Sequence, residues 1–446
     1  MKPLIFVLCC IALFLACSKE IKPGFKSPED AELYNEMFSA SISKKSLLLP
    51  QNSDLAAIPQ DPKNPLTAAK VSLGQLLFHE TRLGARPKIP QGLYTYSCAS
   101  CHIAESGFQS GLAQGIAEGG VGFGLRGEGR MPSVLFTDSA DVLPIRSPAT
   151  LNTAYQEVQR WDGGFGGTGI NKGTENVWLP GTKFANNALG YQGLETIGIT
   201  GQDGHRFKVD TPWFAANAIY KNLFDQAFTD LPVNQRISQT TVGLSIAAYL
   251  RTILANEAPF QKWLRGDETA MDTKEKQGAR LFFGKAKCGN CHAGPALNSM
   301  AFFALGMSDF ENGINGVINV KPGNAEKLGR GGFTKKDSDM YKFKVPQLYN
   351  LKDVKYFGHG ASFTSVADVV RYKNNAVPQN ANVPVTQLSA EFTPLNLTED
   401  EIDKIVKFIE DALYDPNLLR YVPASVPSGN CIPDNDPRAR KDRGCQ

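Results

Sequence analysis

The sequence has almost no excess charge: 47 basic and 44 acidic residues leave a formal net charge of +3. That balance gives no basis for a nucleic-acid surface or for binding to an acidic membrane face. After residue 17 there is no apolar run approaching the roughly 18 residues of a membrane span. Histidine is scarce, with five in 446 residues, and none occurs from Ile103 to Gly204. Imidazole chemistry therefore rests on His79, His102, His205, His292 and His359. Glycine (42) and proline (27) are plentiful, so long loops are expected. A hydrophobic share of 42% is that of an ordinary globular protein, and the length is enough for two or three cores.

The first residues read as an export signal. Lys2 is followed by an apolar run from Leu4 to Ala16, too short to span a bilayer as a mature helix. The run ends in Leu15-Ala16-Cys17-Ser18, which has the form of a bacterial lipoprotein cleavage box. Cys17 is the expected lipid anchor, with plain secretion as the alternative. The mature chain is expected to meet a membrane only through that anchor.

Of nine cysteines, four form two identical patterns, Cys98-Ala-Ser-Cys101-His102 and Cys288-Gly-Asn-Cys291-His292. C-x-x-C-H is the attachment signature of haem c: two thiols bond to the porphyrin vinyls and the histidine becomes the proximal iron ligand. A short turn between the cysteines lets both sulfurs reach one porphyrin edge, and the next residue points at the iron. A zinc site would need a further C-x-x-C pair, and a redox dithiol would sit in a βαβ context; neither is found. Two covalent haems are therefore expected. Cys431 and Cys445 lie in a polar tail, where export favours a disulfide over two free thiols.

The surroundings of the two motifs echo each other. Gly74-Gln-Leu-Leu-Phe78 precedes the first and Gly278-Ala-Arg-Leu-Phe282 the second. Arg146-Ser-Pro-Ala-Thr-Leu-Asn152 returns as Lys344-Val-Pro-Gln-Leu-Tyr-Asn350, and a glycine-rich aromatic element follows each. The reading is a duplicated haem unit: signal 1–17, an N-terminal domain 28–255, a C-terminal domain 262–422 and a polar tail 423–446. The fold class expected is mainly α, two cytochrome c-like helical domains with long glycine-rich loops. Helices are predicted over 67–77, 237–254 and 273–283, with another opening at the capping box Thr398-Glu-Asp-Glu401 and running to about 414.

In order along the chain stand Leu73-Gly-Gln-Leu-Leu-Phe-His-Glu-Thr-Arg82-Leu83, the first haem motif, Arg146 to Asn152, Trp161-Asp-Gly163, the second motif and Tyr356 to Gly360. This succession resembles the bacterial di-haem cytochrome c peroxidase family, which includes the di-haem oxidase that matures methylamine dehydrogenase. The resemblance implies reduction of hydrogen peroxide to water in the periplasm, with electrons from a small cytochrome c or cupredoxin. It implies a calcium ion between the domains, and a homodimer is among the expectations. His102 would be the proximal ligand of the peroxidatic haem and His292 that of the electron-accepting haem, with Trp161 between them. Asn152 would offer a side-chain oxygen to calcium, joined by carbonyls of the Lys344–Pro346 segment; a turn cap is the plain alternative for Asn152.

The sequence departs from the family at three places. No histidine follows His102 where the family's peroxidases place a removable sixth ligand, so either the iron stays five-coordinate or a distant residue closes it. Cleaving an O–O bond needs a proton carrier; His205 with Arg206 is one candidate and Glu195 another, while Arg146 faces either that pocket or a haem propionate. At the second haem, Lys373 falls where a distal methionine is usual, with Met307 or Met300 as alternatives. The rival functions are a di-haem oxidase acting on a protein or organic substrate, and a plain electron carrier.

Overall fold

The computed structural model describes residues 27–38, 44–136 and 138–445, so the expected signal and Cys17 lie outside it. Among the described residues the helices are α1 (Pro28–Met37), α2 (Ala68–His79), α3 (Gly193–Gly204), α4 (Thr211–Ala216), α5 (Ala218–Ala227) and α6 (Gln239–Thr252). They continue as α7 (Pro259–Leu264), α8 (Thr273–Phe283), α9 (Arg330–Thr334), α10 (Val366–Asn375), α11 (Glu399–Lys407) and α12 (Pro437–Arg443). The only sheets among these residues are two-residue antiparallel pairs, such as β3 (Phe302–Phe303) with β4 (Phe343–Lys344). The class is mainly α.

The capping box expected at Thr398 forms, and three other helices open on local side-chain caps. Thr67 accepts from the Lys70 backbone N–H at the start of α2. Ser238 and Asp272 open α6 and α8, and Thr398 with Glu401 forms a reciprocal capping box at α11. α11 continues past Lys407 as a π-type turn to Ala412.

Two helix crossings carry the architecture. α2 lies on α6, and α8 lies on α11 and its π-type turn. Both crossings are closer than any side chain would allow. A Cβ on Gly74 would sit 1.8 Å from the Ser245 carbonyl oxygen, and one on Gly278 would sit 1.9 Å from that of Lys404. Leu73, Leu77 and Phe78 fill the first crossing, and Ala279, Phe282 and Phe408 the second; one apolar core includes them all. Each large side chain so buried contributes about 1.5–3 kcal/mol.

The asparagines repeat as well. Asn152 and Asn350 both take positive φ, +59° and +55°. Asn152 Oδ1 accepts from Ala255 N, and Asn350 Oδ1 from Asp415 N. Their backbone N–H groups bond the carbonyls of Ile253 and Leu413, the residues two places earlier. Each asparagine therefore clamps a loop to the chain that leaves its long helix.

Gly74→Ala and Gly278→Ala should each destabilise the haem-loaded protein by about 1–3 kcal/mol or more, the cost of overpacking a close crossing. Gly201 in α3 has open space around its Cβ position, and Gly201→Ala should instead be neutral or stabilising by up to about 1 kcal/mol. Denaturation midpoints check both, and equal effects at Gly74 and Gly201 would contradict the crossing geometry.

Candidate functional site

Each Cys-x-x-Cys-His segment is a single 3₁₀ turn, Cys98–Ser100 and Cys288–Asn290. All four cysteines are unpaired. Burial pushes the Cys98 and Cys288 thiols up to about 12, so they stand as neutral thiols in apolar surroundings. Burial also pushes the imidazoles of His102 and His292 down to about 4. A neutral imidazole is the form that binds a metal.

The ring of His292 is held by its second nitrogen. Its Nδ1–H is shared between the carbonyls of Leu297 and Pro346 at 3.0 and 3.1 Å, which leaves Nε2 free for iron. His102 faces the equivalent carbonyls of Phe108 and Pro148, and its Nδ1 is buried short of full hydrogen-bond geometry. Neutral thiols beside an oriented neutral histidine, twice over, fit covalently attached haem.

A cavity of about 480 Å³ opens beside His292. Cys288, Cys291 and His292 form one side of it, and Val366, Val370 and Ile405 are among its apolar walls. Of the three named candidates for the second axial ligand there, Lys373 and Met307 line this cavity. Burial lowers the Lys373 pKa, which favours the neutral amine that a metal requires. His359 is committed elsewhere: Nε2 meets Asp309 at 3.1 Å and the ring stacks on Phe343.

Trp161 lines the same cavity. Its indole N–H donates to the Arg146 carbonyl at 2.9 Å, and its own carbonyl accepts from the Lys344 N–H at 2.8 Å. The tryptophan is thus pinned between the two echoing segments, Arg146-Ser-Pro and Lys344-Val-Pro.

Near His102 the structure brings together residues far apart in sequence. His205 Nδ1 lies 3.0 Å from Asp141 Oδ2, and the charge on His205 acts on His102. Burial would lower the His205 pKa, but the Asp141 charge and hydrogen bond outweigh it and the net direction is upward. The Tyr96 hydroxyl fixes the backbone by donating to the His205 carbonyl at 2.8 Å. Asp141 had no sequence signal, since only the fold places it against a histidine 64 residues away.

Four of the expected site residues are engaged by partners inside the protein. Glu195 is fully buried between α3 and α6, where both its oxygens bind the Arg251 guanidinium and Asn64 also reaches it. It is a packing ion pair, with no free oxygen facing a reaction site. Arg206 does not present a free guanidinium, because Nη1 is taken by Glu118 and by the Ser139 carbonyl. Arg146 lines the His292 cavity and donates to the carbonyls of Ser110, Leu112 and Ala113. Asn152 is a turn clamp: its oxygen is held by Ala255 N, and the Pro346 carbonyl is held by His292. Of the oxygens expected for calcium, those of Asn152 and Pro346 therefore already accept hydrogen bonds.

The tail is not loose. Cys431 and Cys445 form a disulfide across a separation of 14 residues, and the segment they close straps the first haem motif. Ser97 and Ser100 donate to the Pro433 carbonyl and Asp434 at 2.7 and 2.5 Å. Arg130 meets Asp434 at 2.9 Å with both side chains buried. Burial pushes the Asp434 carboxyl up to about 6 despite that partner. Cys431→Ser with Cys445→Ser should cost about 3 kcal/mol, the loop-closure value for a ring of this size. Chemical denaturation of the haem-loaded protein measures it; a loss near zero would mean that the ion pairs alone hold the strap.

A family profile described as di-haem cytochrome c peroxidase matches residues 68–269. The methylamine utilization protein MauG of Methylorubrum extorquens is 28% identical over 368 residues, 81% of this chain and 83% of that protein. Cytochrome-c peroxidase IdrP1 of a Pseudomonas species is 25% identical over 388 residues, 83% of this chain and 87% of that protein. Cytochrome c peroxidase Ccp of Escherichia coli is 27% identical over 82% of this chain and 63% of its own length. Among solved structures, a MauG-like protein associated with microbial copper homeostasis superposes with a TM-score of 0.59 at 21% identity, over 90% of this chain and 99% of that one.

Proposed function

We propose that the chain, which resembles the di-haem cytochrome c peroxidase family over residues 68–269 and in its relatives, reduces hydrogen peroxide to water at the His102 centre, with electrons entering at the His292 centre from a small cytochrome c or copper protein. The observation that carries this reading is the His205–Asp141 pair beside His102. When bound, the haem iron supplies the peroxide-binding position and the electrons. The protein must supply a mobile proton.

His205 is built for that role. Asp141 holds Nδ1 and so selects the tautomer in which Nε2 is free to take a proton and return it. Asp141 is a positioning residue that also stabilises the imidazolium. Trp161, fixed from both sides, is the proposed route between the two centres. Lys373 or Met307 is the proposed second axial ligand of the His292 iron. In this reading each haem has its own helical unit, 28–255 and 262–422, with 423–446 as the strap. The protein faces the periplasm, anchored through Cys17.

One observation favours a second reading, a di-haem oxidase acting on a protein or organic substrate: MauG itself stands among the relatives at 28% identity.

Purified protein matured with haem c should give a pyridine haemochrome ratio of two per chain, and Cys288→Ala with Cys291→Ala should leave one. A ratio of one in the unmutated protein would overturn the reading. His205→Ala should slow the reaction with peroxide by about 100- to 10,000-fold with haem content intact.

The sign of the pH dependence follows from the raised pKa of His205. The neutral, proton-accepting form is gained as pH rises through that pKa. The acid limb of the peroxide rate should therefore lie above 6.5, the ordinary histidine value. Asp141→Asn should move the limb to lower pH as well as lowering the maximum. An unmoved limb would contradict the role of the pair.

A further inference from the structure

The cavity beside His292 is unbalanced in charge. Its lining includes five basic side chains, Arg146, Arg160, Lys287, Lys344 and Lys373, and a single acidic one, Glu391. Arg160 is accounted for by Glu326 at 3.3 Å. Glu391 acts on Lys373 and on Cys291, at the attachment side of the cavity.

Lys287 is exposed, and the two cations that remain, Arg146 and Lys344, are both buried. Arg146 is 1% exposed and Lys344 6%. Arg146 reaches only neutral carbonyls, those of Ser110, Leu112 and Ala113. Lys344 Nζ donates to the neutral Gln156 side chain, with Asp162 close enough to be felt. Among the described residues neither forms a salt bridge. A buried charge with no ion-pair partner costs several kcal/mol, so two of them lining one cavity call for an anionic ligand.

They occupy equivalent places in the repeat, each two residues before a proline, and they flank Trp161 from its two sides. A divalent cation in the same region would add charge to a site that already holds two positive groups. The oxygens expected to ligate it, Asn152 Oδ1 and the Pro346 carbonyl, already accept hydrogen bonds. Among the described residues there is also no cluster of acidic groups able to hold a metal ion.

We propose that Arg146 and Lys344 are the paired counter-ions of the carboxylates of the porphyrin attached at Cys288 and Cys291, and that these two side chains stand in place of the calcium ion expected between the halves. A porphyrin bonded through its vinyl edge presents two propionates at the opposite edge. Two carboxylates matched by two fixed cations leave no charge for a divalent ion to neutralise. The inference rests on haem being attached at the second motif, which the haemochrome ratio tests separately.

The holoprotein, dialysed against EGTA, should contain far less than one calcium per chain by elemental analysis, and its melting temperature should not change on adding calcium. In redox titrations followed optically, Lys344→Gln and Arg146→Gln should each shift the potential of the C-terminal haem to more negative values, because a positive charge that disfavours the oxidised state is lost. Lys344→Arg should restore most of the shift, which a merely structural role would not predict. One retained calcium per chain would overturn the proposal. So would an unchanged potential in a Lys344→Gln protein that keeps both haems. The calcium measurement needs no variant, so it decides even if the substitutions fail to fold.

Discussion

Everything in this molecule hangs on how closely two helix pairs can approach. At Gly74 and Gly278 the backbone of one helix lies against a carbonyl of the other, with no room for a methyl group. The ends of α2 and α8 in turn meet the Cys-x-x-Cys-His segments, with the Phe78 ring 6.4 Å from that of His102 and the Phe282 ring 6.4 Å from that of His292. Loops then drape over each turn and supply the carbonyls that orient the histidine, Pro346 and Leu297 for His292 and their counterparts for His102. A slack crossing would leave the thiols and the imidazole without a shared geometry.

From this frame the two centres diverge. Around His292 the chain builds an apolar cavity with a cationic rim and two candidate axial side chains, Lys373 and Met307. That environment suits an electron-transfer haem, whose potential is tuned by its axial ligand and nearby charge. Around His102 it places a titratable pair, His205 and Asp141, and ties the strap of the tail over the attachment turn. In the proposed reading, proton delivery and electron delivery belong to different halves, and Trp161 is bonded to both echoing segments.

The covalent chemistry was legible in the sequence because it depends on spacing over five residues. The helices were legible because their signals are local: apolar spacing within each segment and, at Thr398, a capping box that acts within three residues of itself. Side-chain partners brought by the fold from tens or hundreds of residues away were not. Glu195 looked available until Arg251 on α6 was seen to claim it. Arg206 looked catalytic until Glu118 was found against it. Asn152 matched a ligand pattern, but the same asparagine geometry recurs at Asn350 as a plain clamp. Asp141 carried no motif at all. Sequence order named the histidine at 205 and could not supply the carboxylate that orients it.

The same geometry at His205 admits one sharp alternative. An imidazole whose Nδ1 is held by a carboxylate is also the form in which histidine ligates iron. If Nε2 of His205 bound the His102 iron directly, it could not carry a proton to peroxide without first leaving. The low-temperature EPR spectrum of the fully oxidised protein separates these cases most directly. The account predicts one high-spin ferric signal, from a His102 iron open to peroxide, beside one low-spin signal from the His292 iron. Two low-spin signals, with no reaction with peroxide until one haem is reduced, would contradict it.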